Sequence, residues 1–265
     1  MDKQRTIIFC DFDGTITTEE TFVGTLMRLC DEKDLYEWFG KFQKGEITLR
    51  KCTETLFSLA PSSRWPLVEE YAKTVQLRPG FSEFLDRAKE LDFPVVVISG
   101  GVRIMQEPIL APYMNRIEAF YSCDLDISGE YTVFTSRYAN DIQNMDKEKI
   151  MELYTYERAI AIGDMASTDY QMAKASDVVF ARDELADALE KEGMPFIRWE
   201  TFFDIIPHLA QADQPLQAPS YKLKIARCIN WAIFMQKNAE TYLTTRQYKY
   251  TIRCINSKSQ LEYRL

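Results

Sequence analysis

The chain has 265 residues, 46% of them hydrophobic, 13% aromatic and 27% charged; that is enough to bury one large α/β core and too apolar for general disorder. A single histidine excludes histidine triads and multi-histidine metal centres, and six cysteines without a CxxC pair read as thiols in a reducing compartment rather than a disulfide framework or zinc site. Nine Lys or Arg against two Glu put +7 on residues 218–265, so the net charge of −8 leaves −15 on the rest, an acidic body that repels a nucleic-acid backbone.

Thr6 opens a short apolar run that stops in Asp11-Phe-Asp-Gly-Thr15. A run without alternation fits a strand buried on both faces of a parallel sheet. It starts so near the N-terminus that no room is left for a signal peptide, and no stretch of about 18 apolar residues exists to cross a membrane. The expected location is the cytoplasm, with no membrane partner. Between residues 17 and 77 the character changes: Thr21–Leu29 and Leu49–Leu59 space their apolar residues three and four apart, as amphipathic helices do. Pro61 marks a loop and Pro79-Gly80 the next break.

A repeating order of helix and strand follows. Helices are expected over 81–91, 102–114, 146–154, 167–175 and 183–192, and strands over 94–99, 117–122, 159–164, 177–181 and 195–199. Asp146 is a plausible N-cap. Residues 128–137 alternate around a Ser-Gly turn and predict a β-hairpin. The alternation predicts an α/β protein, a Rossmann-like doubly wound parallel sheet with helices on both faces. Some 60 residues are too many for an ordinary crossover, so 17–78 reads as a helical cap inserted after the first strand. Residues 1–16 and 79–210 then form the core, the cap joins it near 17–18 and 78–80, and 211–265 is a linker and basic tail.

Ligands bind beyond the C-terminal ends of strands in such sheets. Three strand ends carry chemistry: Asp11 and Asp13, then Ser99-Gly100-Gly101, then Gly163-Asp164 with Asp169 five residues on. Each alone is ordinary turn or capping material; the ordered set describes phosphoryl transfer. Magnesium prefers oxygen ligands, which Asp11, the Asp13 carbonyl and Asp164 would supply. Asp11 is then the nucleophile forming an aspartyl phosphate, and Asp13 the acid and base. Ser99 and the N–H groups near Gly100 would bind phosphate oxygens, Lys147 would neutralise charge, and Asp169 would support the metal site. Lys149 is the competing lysine; Lys147 is preferred because Ile150 and Met151 follow it where the helix must pack.

The set from Asp11-Phe-Asp-Gly-Thr15 through Ser99, Lys147 and Gly163-Asp164 to Asp169 resembles the four signature motifs of the haloacid-dehalogenase superfamily of phosphatases. The resemblance spans roughly residues 5–210 and implies a Rossmann-like core, Mg2+ dependence and a small phosphorylated metabolite as substrate. It also implies phosphate-site roles for Thr15 and Gly100. The helical insert is similar to the cap of the phosphoserine-phosphatase branch, in which a glutamate early in the cap binds the substrate ammonium; Glu20 stands at a similar spacing. Cys10-Asp-Phe-Asp-Gly-Thr-Ile-Thr17, Val97-Ile-Ser-Gly-Gly101 and Val179-Phe-Ala-Arg-Asp183 resemble a methionine-salvage group of the same superfamily, although its cysteine-rich stretch has no counterpart over residues 131–145. A phosphoserine phosphatase, a phosphotransferase and an inactive binding protein on the same fold stay open as alternatives, as does monomer against homodimer.

Other residues carry blander expectations. Phe22, Trp38, Phe39 and Phe57 read as cap packing, His208 as a residue without a role, and Arg182-Asp183 as a helix cap in preference to an ion pair.

Overall fold

The computed structural model describes residues 6–212. Strand β1 (Thr6–Cys10) is followed by four helices, α1 (Thr21–Leu29), α2 (Glu32–Gln43), α3 (Leu49–Leu59) and α4 (Trp65–Ala72). Next come α5 (Phe81–Glu90), β2 (Val95–Val102), α6 (Arg103–Leu110), β3 (Ala119–Asp126), β4 (Val133–Thr135) and α7 (Lys147–Met151). The described chain ends with β5 (Arg158–Gly163), α8 (Ala166–Lys174), β6 (Val178–Ala181), α9 (Asp183–Lys191), β7 (Ile197–Arg198) and α10 (Phe202–Ala212).

The strands form one seven-stranded sheet in the order β4-β3-β2-β1-β5-β6-β7. All pairs are parallel except the edge pair of β3 with β4. β1 therefore lies at the centre, and the chain reverses its direction of winding beside it, where open α/β sheets place their ligands. Both faces are covered, and the two-residue period of a strand shows how. Ile8, Cys10, Val95, Val97, Ile160 and Ile162 face a core shared with Phe81 and Phe84 of α5 and Phe202 and Ile205 of α10. Their neighbours Ile7, Phe9, Val96, Ile98, Ala159 and Ala161 face Ile150 and Met151 of α7 and Met172 of α8. This double burial is why β1 reads as an unbroken apolar run. Each such aliphatic side chain removed from water stabilises the sheet by about 1.5–3 kcal/mol.

The four helices between β1 and α5 build a core of their own around Leu26, Leu29, Leu56, Phe57, Trp65, Val68 and Tyr71, joined by Met105 and Leu125 from the sheet body. Their two connections to the sheet run side by side. Thr17 and Leu77 form an antiparallel bridge, Thr18 donates its N–H to the Gln76 carbonyl at 3.0 Å, and Arg78 donates its own to Ile16 at 2.8 Å.

Several expectations shift. α2 and α4 lie within the helical segment expected over 17–78, beyond the two stretches that spacing delimits there. α2 carries a 3–4 spaced stripe, Leu35, Trp38, Phe39 and Phe42, but the stripe is only partly buried and the helix opens on a charged Glu-Lys-Asp. Strand β2 continues through Ser99-Gly-Gly101 to Val102, with a register irregularity between Ile98 and Val102, so those glycines stand inside the strand end. The helix after it is shorter than residues 102–114: Pro108 sits inside it, and a 3-10 turn takes over from Ala111 to Arg116. The hairpin pairs β4 with the far end of β3, Leu125 facing Phe134, so its first strand lies before residue 128. Arg182 makes no side-chain cap bond; its Nε lies 2.8 Å from Asp183 Oδ2, an ion pair in place of the cap reading. Residues 202–212 form a helix despite Pro207, because Phe202, Ile205 and Leu209 are fully buried. The four described cysteines are free and buried. Beyond residue 212, the expected linker and basic tail lie outside the described residues.

Candidate active site

The three strand ends meet. Asp11 leaves β1 with its N–H still donated to the Ile162 carbonyl of β5 at 2.9 Å, so the sheet itself sets its position. Asp164 leaves β5 one strand away, and Ser99 stands near the end of β2 on the other side. Asp11, Ser99, Lys147, Asp164 and Asp169 are all buried, and Asp13 is partly so.

Lys147, 2% exposed, donates from Nζ to Asp11 Oδ1 and, at 2.5 Å, to Asp169 Oδ1. Lys149 is exposed, and its backbone N–H is capped by Asp146 Oδ1 at 3.1 Å. The preferred lysine is thus the one the fold brings to the carboxylates. Asp169 Oδ2 accepts the N–H groups of Asp164 (3.0 Å) and Met165 (3.1 Å). Both of its oxygens are therefore engaged, and it acts as a brace between the lysine and the loop after β5.

Asp164 Oδ1 accepts the Thr15 hydroxyl at 2.8 Å. Thr15, expected at the phosphate site, thereby orients this carboxylate through its hydroxyl. Gly14 has φ +72°, and a Cβ there would lie 2.1 Å from Asp164 Oδ2 and 2.5 Å from Glu20 Oε1. Only glycine lets the loop carry two carboxylates at such close approach. Glu20, which precedes α1, makes no cap bond and turns its carboxylate toward Asp164 instead.

Asp13 is held by four donors. Its Oδ1 accepts the Thr21 hydroxyl and the Phe22 N–H at 3.1 Å; its Oδ2 accepts Ser99 Oγ at 3.2 Å and Gln106 Nε2 at 3.0 Å. The loop below is clamped by Arg78. Its guanidinium donates to the carbonyls of Gly14, Thr15 (2.9 Å), Thr17 (3.2 Å) and Glu200 (3.2 Å). The sequence reading missed Gln106, Thr21 and Arg78 as site residues. A lone polar residue on a helix, or one beside a Pro-Gly break, carries no spacing signal.

Burial and mutual repulsion govern the charges. Burial, followed by the nearby Asp169 and Glu20 charges, pushes Asp164 up to about 8. Burial, followed by Asp13 and Asp11, likewise pushes Glu20 up to about 8. Burial raises Asp11 and Asp13 as well, opposed at Asp11 by Lys147 and at Asp13 by its hydrogen bonds. Carboxylate oxygens of Asp11, Asp164 and Asp169 lie within 4.8 Å of one another. Three buried carboxylates around one lysine form an electron-rich, all-oxygen donor set, which fits a hard divalent cation. Since Asp169 is engaged on both oxygens, Asp11 and Asp164 are the members with acceptor capacity to spare.

A sequence model of the haloacid dehalogenase-like hydrolases matches residues 8–174. The 2-hydroxy-3-keto-5-methylthiopentenyl-1-phosphate phosphatase of Microcystis aeruginosa (strain NIES-843 / IAM M-2473) is 37% identical over 209 residues, covering 78% of this chain and 99% of the relative. Its namesake in Brevibacillus brevis is 33% identical over 80% of this chain and 98% of the relative. Among solved structures, a phospho-aspartyl intermediate analogue of phosphoserine phosphatase superposes with a TM-score of 0.59 at 19% identity, covering 79% of this chain and 99% of that one. A substrate-bound phosphoserine phosphatase gives 0.60 at 18% identity, covering 78% and 99%. At such identity the structural likeness speaks for the fold.

Proposed function

The chain belongs to the haloacid dehalogenase-like hydrolase family and is a phosphatase, and we propose that it hydrolyses 2-hydroxy-3-keto-5-methylthiopentenyl-1-phosphate through an aspartyl phosphate on Asp11. The observation that carries the chemistry is the buried Asp11–Lys147–Asp169 group with Asp13 fixed beside it. The substrate follows from relatives that match this chain over nearly their whole length.

Mg2+ is the proposed metal, held by Asp11, the Asp13 carbonyl and Asp164; when bound, it would offset the repulsion between carboxylates and a phosphate dianion. Asp11 attacks phosphorus, and its new O–P bond forms as the ester P–O bond breaks. Lys147 aims the Asp11 carboxylate and favours its charged form, against the burial that opposes it. Ser99 and the backbone N–H groups around Gly100 bind the phosphate oxygens. Asp13 protonates the leaving alkoxide and then takes a proton from the water that releases inorganic phosphate. Residues 17–78 act as a cap that excludes water during the first step, while 1–16 and 79–210 form the catalytic core.

Glu20 supports a second reading. A carboxylate turned into the site would pair with a substrate ammonium, as in phosphoserine. The test is turnover of both esters, with release of inorganic phosphate measured, by wild type and Asp11→Asn. We expect the methylthiopentenyl ester to have the larger kcat/KM, and Asp11→Asn or excess EDTA to abolish turnover. Activity that survives either treatment counts against the mechanism, and preference for phosphoserine replaces the substrate.

A further inference from the structure

The acid–base carboxylate is gripped by a side chain outside the strand-end motifs. Gln106 lies on α6 and is 1% exposed. Its Nε2 donates to Asp13 Oδ2 at 3.0 Å and to Ser99 Oγ at 2.7 Å, and its Oε1 meets Ser122 Oγ of β3 at 2.6 Å. Chemistry fixes the orientation of this amide: a carboxylate accepts only, so the NH2 must face Asp13 and the carbonyl must face the Ser122 hydroxyl. Gly101 is what lets α6 bring the amide in, because a Cβ there would stand 2.3 Å from Gln106 Nε2 and 2.9 Å from Asp13 Oδ2.

We infer that Gln106 is a positioning residue that aims Asp13 Oδ2 at the leaving-group oxygen, acting through Asp13; the inference rests on the reading of Asp13 as the general acid. Oδ1 is not the oxygen to deliver a proton, since Thr21 and the Phe22 N–H already occupy it. Oδ2 has two donors, Ser99 and Gln106. In the proposed reaction Ser99 turns its single hydroxyl hydrogen to a phosphate oxygen, which removes one of them. Gln106 is then the donor that keeps Oδ2 in place while the carboxyl gives up its proton. In that step the P–O ester bond breaks, its electron pair passes to the leaving oxygen, and the Asp13 proton moves onto that oxygen.

The discriminating readout is dependence on the leaving group. An alkoxide needs its proton at the transition state, whereas p-nitrophenolate leaves well without one. kcat/KM covers events through the first P–O cleavage and excludes hydrolysis of the aspartyl phosphate. The ratio of kcat/KM for an alkyl ester to that for p-nitrophenyl phosphate is also independent of how much protein is correctly folded. The alkyl probe is the ester turned over fastest in the test above. In Gln106→Met we expect this ratio to fall by about tenfold or more, as loss of an aimed general acid requires. Ser122→Ala, which frees the far side of the amide and the Gly101 carbonyl that Ser122 Oγ also reaches at 2.9 Å but leaves the Gln106 NH2 on Asp13, should lower it in the same sense by less. Asp13→Asn serves as the reference and should lower it most. If Gln106→Met reduces both substrates equally while Asp13→Asn lowers the ratio, Gln106 is structural and the inference fails. If Asp13→Asn itself leaves the ratio unchanged, the fault lies with Asp13 as the acid.

Discussion

Lys147 shows what one side chain does when burial and charge act together. Burial alone would lower its pKa, yet Asp11 and Asp169 raise it above the ordinary lysine value, so it is charged throughout the physiological range. Replacing it by Met strands two buried carboxylates; we expect a stability loss of about 3–5 kcal/mol together with loss of turnover. Lys149→Ala should change stability by less than about 0.5 kcal/mol and leave turnover intact. Denaturant unfolding and steady-state rates on the pair check this, and a damaging Lys149→Ala would reverse the assignment. The acidic side of the site predicts a pH effect. Asp164 and Glu20 are pushed up to about 8 in the fold. Between about pH 4 and 8 the folded protein thus binds more protons than the unfolded chain, and stability falls as pH rises through that window. In EDTA, Tm should decline from pH 5 to 8. Added Mg2+ should reduce the decline by favouring ionised Asp164, and Asp164→Asn should reduce the slope without metal. A flat Tm in EDTA would show that the carboxylates are not strained by their burial.

At the scale of elements, the loop after β1 depends on a residue from the far side of the helical segment. Arg78 binds the carbonyls of Gly14, Thr15, Thr17 and Glu200 while lying over the Trp199 ring, 5.4 Å from its centroid. It also adjoins the paired connection of Thr17 with Leu77. Arg78→Leu leaves buried carbonyls without donors, which costs about 1–3 kcal/mol. The same change should lower kcat/KM, because Asp13 and Thr15 stand on the clamped loop. Arg78→Lys, with fewer and differently placed donors, should recover only part of either loss. Unchanged kinetics in Arg78→Leu would mean that the loop is held by the sheet alone. The fold also links the helical segment to the sheet body through the β3–β4 side. Asn144 Nδ2 donates to Thr53 Oγ1 at 3.0 Å, and the Arg50 N–H donates to the Ile142 carbonyl at 3.0 Å.

For the molecule as a whole, the candidate site residues lie between Asp11 and Asp169, and α10 is the last of the described elements that packs on the core supporting them. Phe202, Ile205 and Leu209 of that helix are fully buried, and they pack on α5 and the sheet. Removal of residues 215–265 should therefore leave kcat/KM within about tenfold of the full chain, a change below about 1.4 kcal/mol. Removal from residue 199 onward should abolish folding, since it exposes the face that Trp199 and α10 cover. Rates and far-UV circular dichroism on the two truncations decide it, and a larger loss in the first would give the basic segment a part in the site or the fold. No described helix is long and apolar enough to cross a membrane.

The sequence alone determined the central strands and the order of the strand-end clusters, and it named Asp11, Asp13, Ser99, Asp164 and Asp169 as the candidates that the fold brings together. An unbroken apolar run is the direct mark of a strand covered on both faces, and carboxylates abutting such runs stand out against them. It favoured Lys147 over Lys149, because the helix that carries Lys147 must pack through Ile150 and Met151, and the fold then brought Lys147 to Asp11 and Asp169. Only the tertiary structure brought in Gln106, Arg78 and Thr21. Each acts across a separation in sequence, from a helix, a junction or a cap terminus, and a hydrogen bond formed by folding leaves no period behind it. The same reason explains the bond of the Thr15 hydroxyl to Asp164, 149 positions away. The bounds of α2 belong here as well: its stripe is buried only in part, so its helical spacing stands out less against the charged residues around it. Local physics set the strand ends, and long-range packing chose which side chains converge on them.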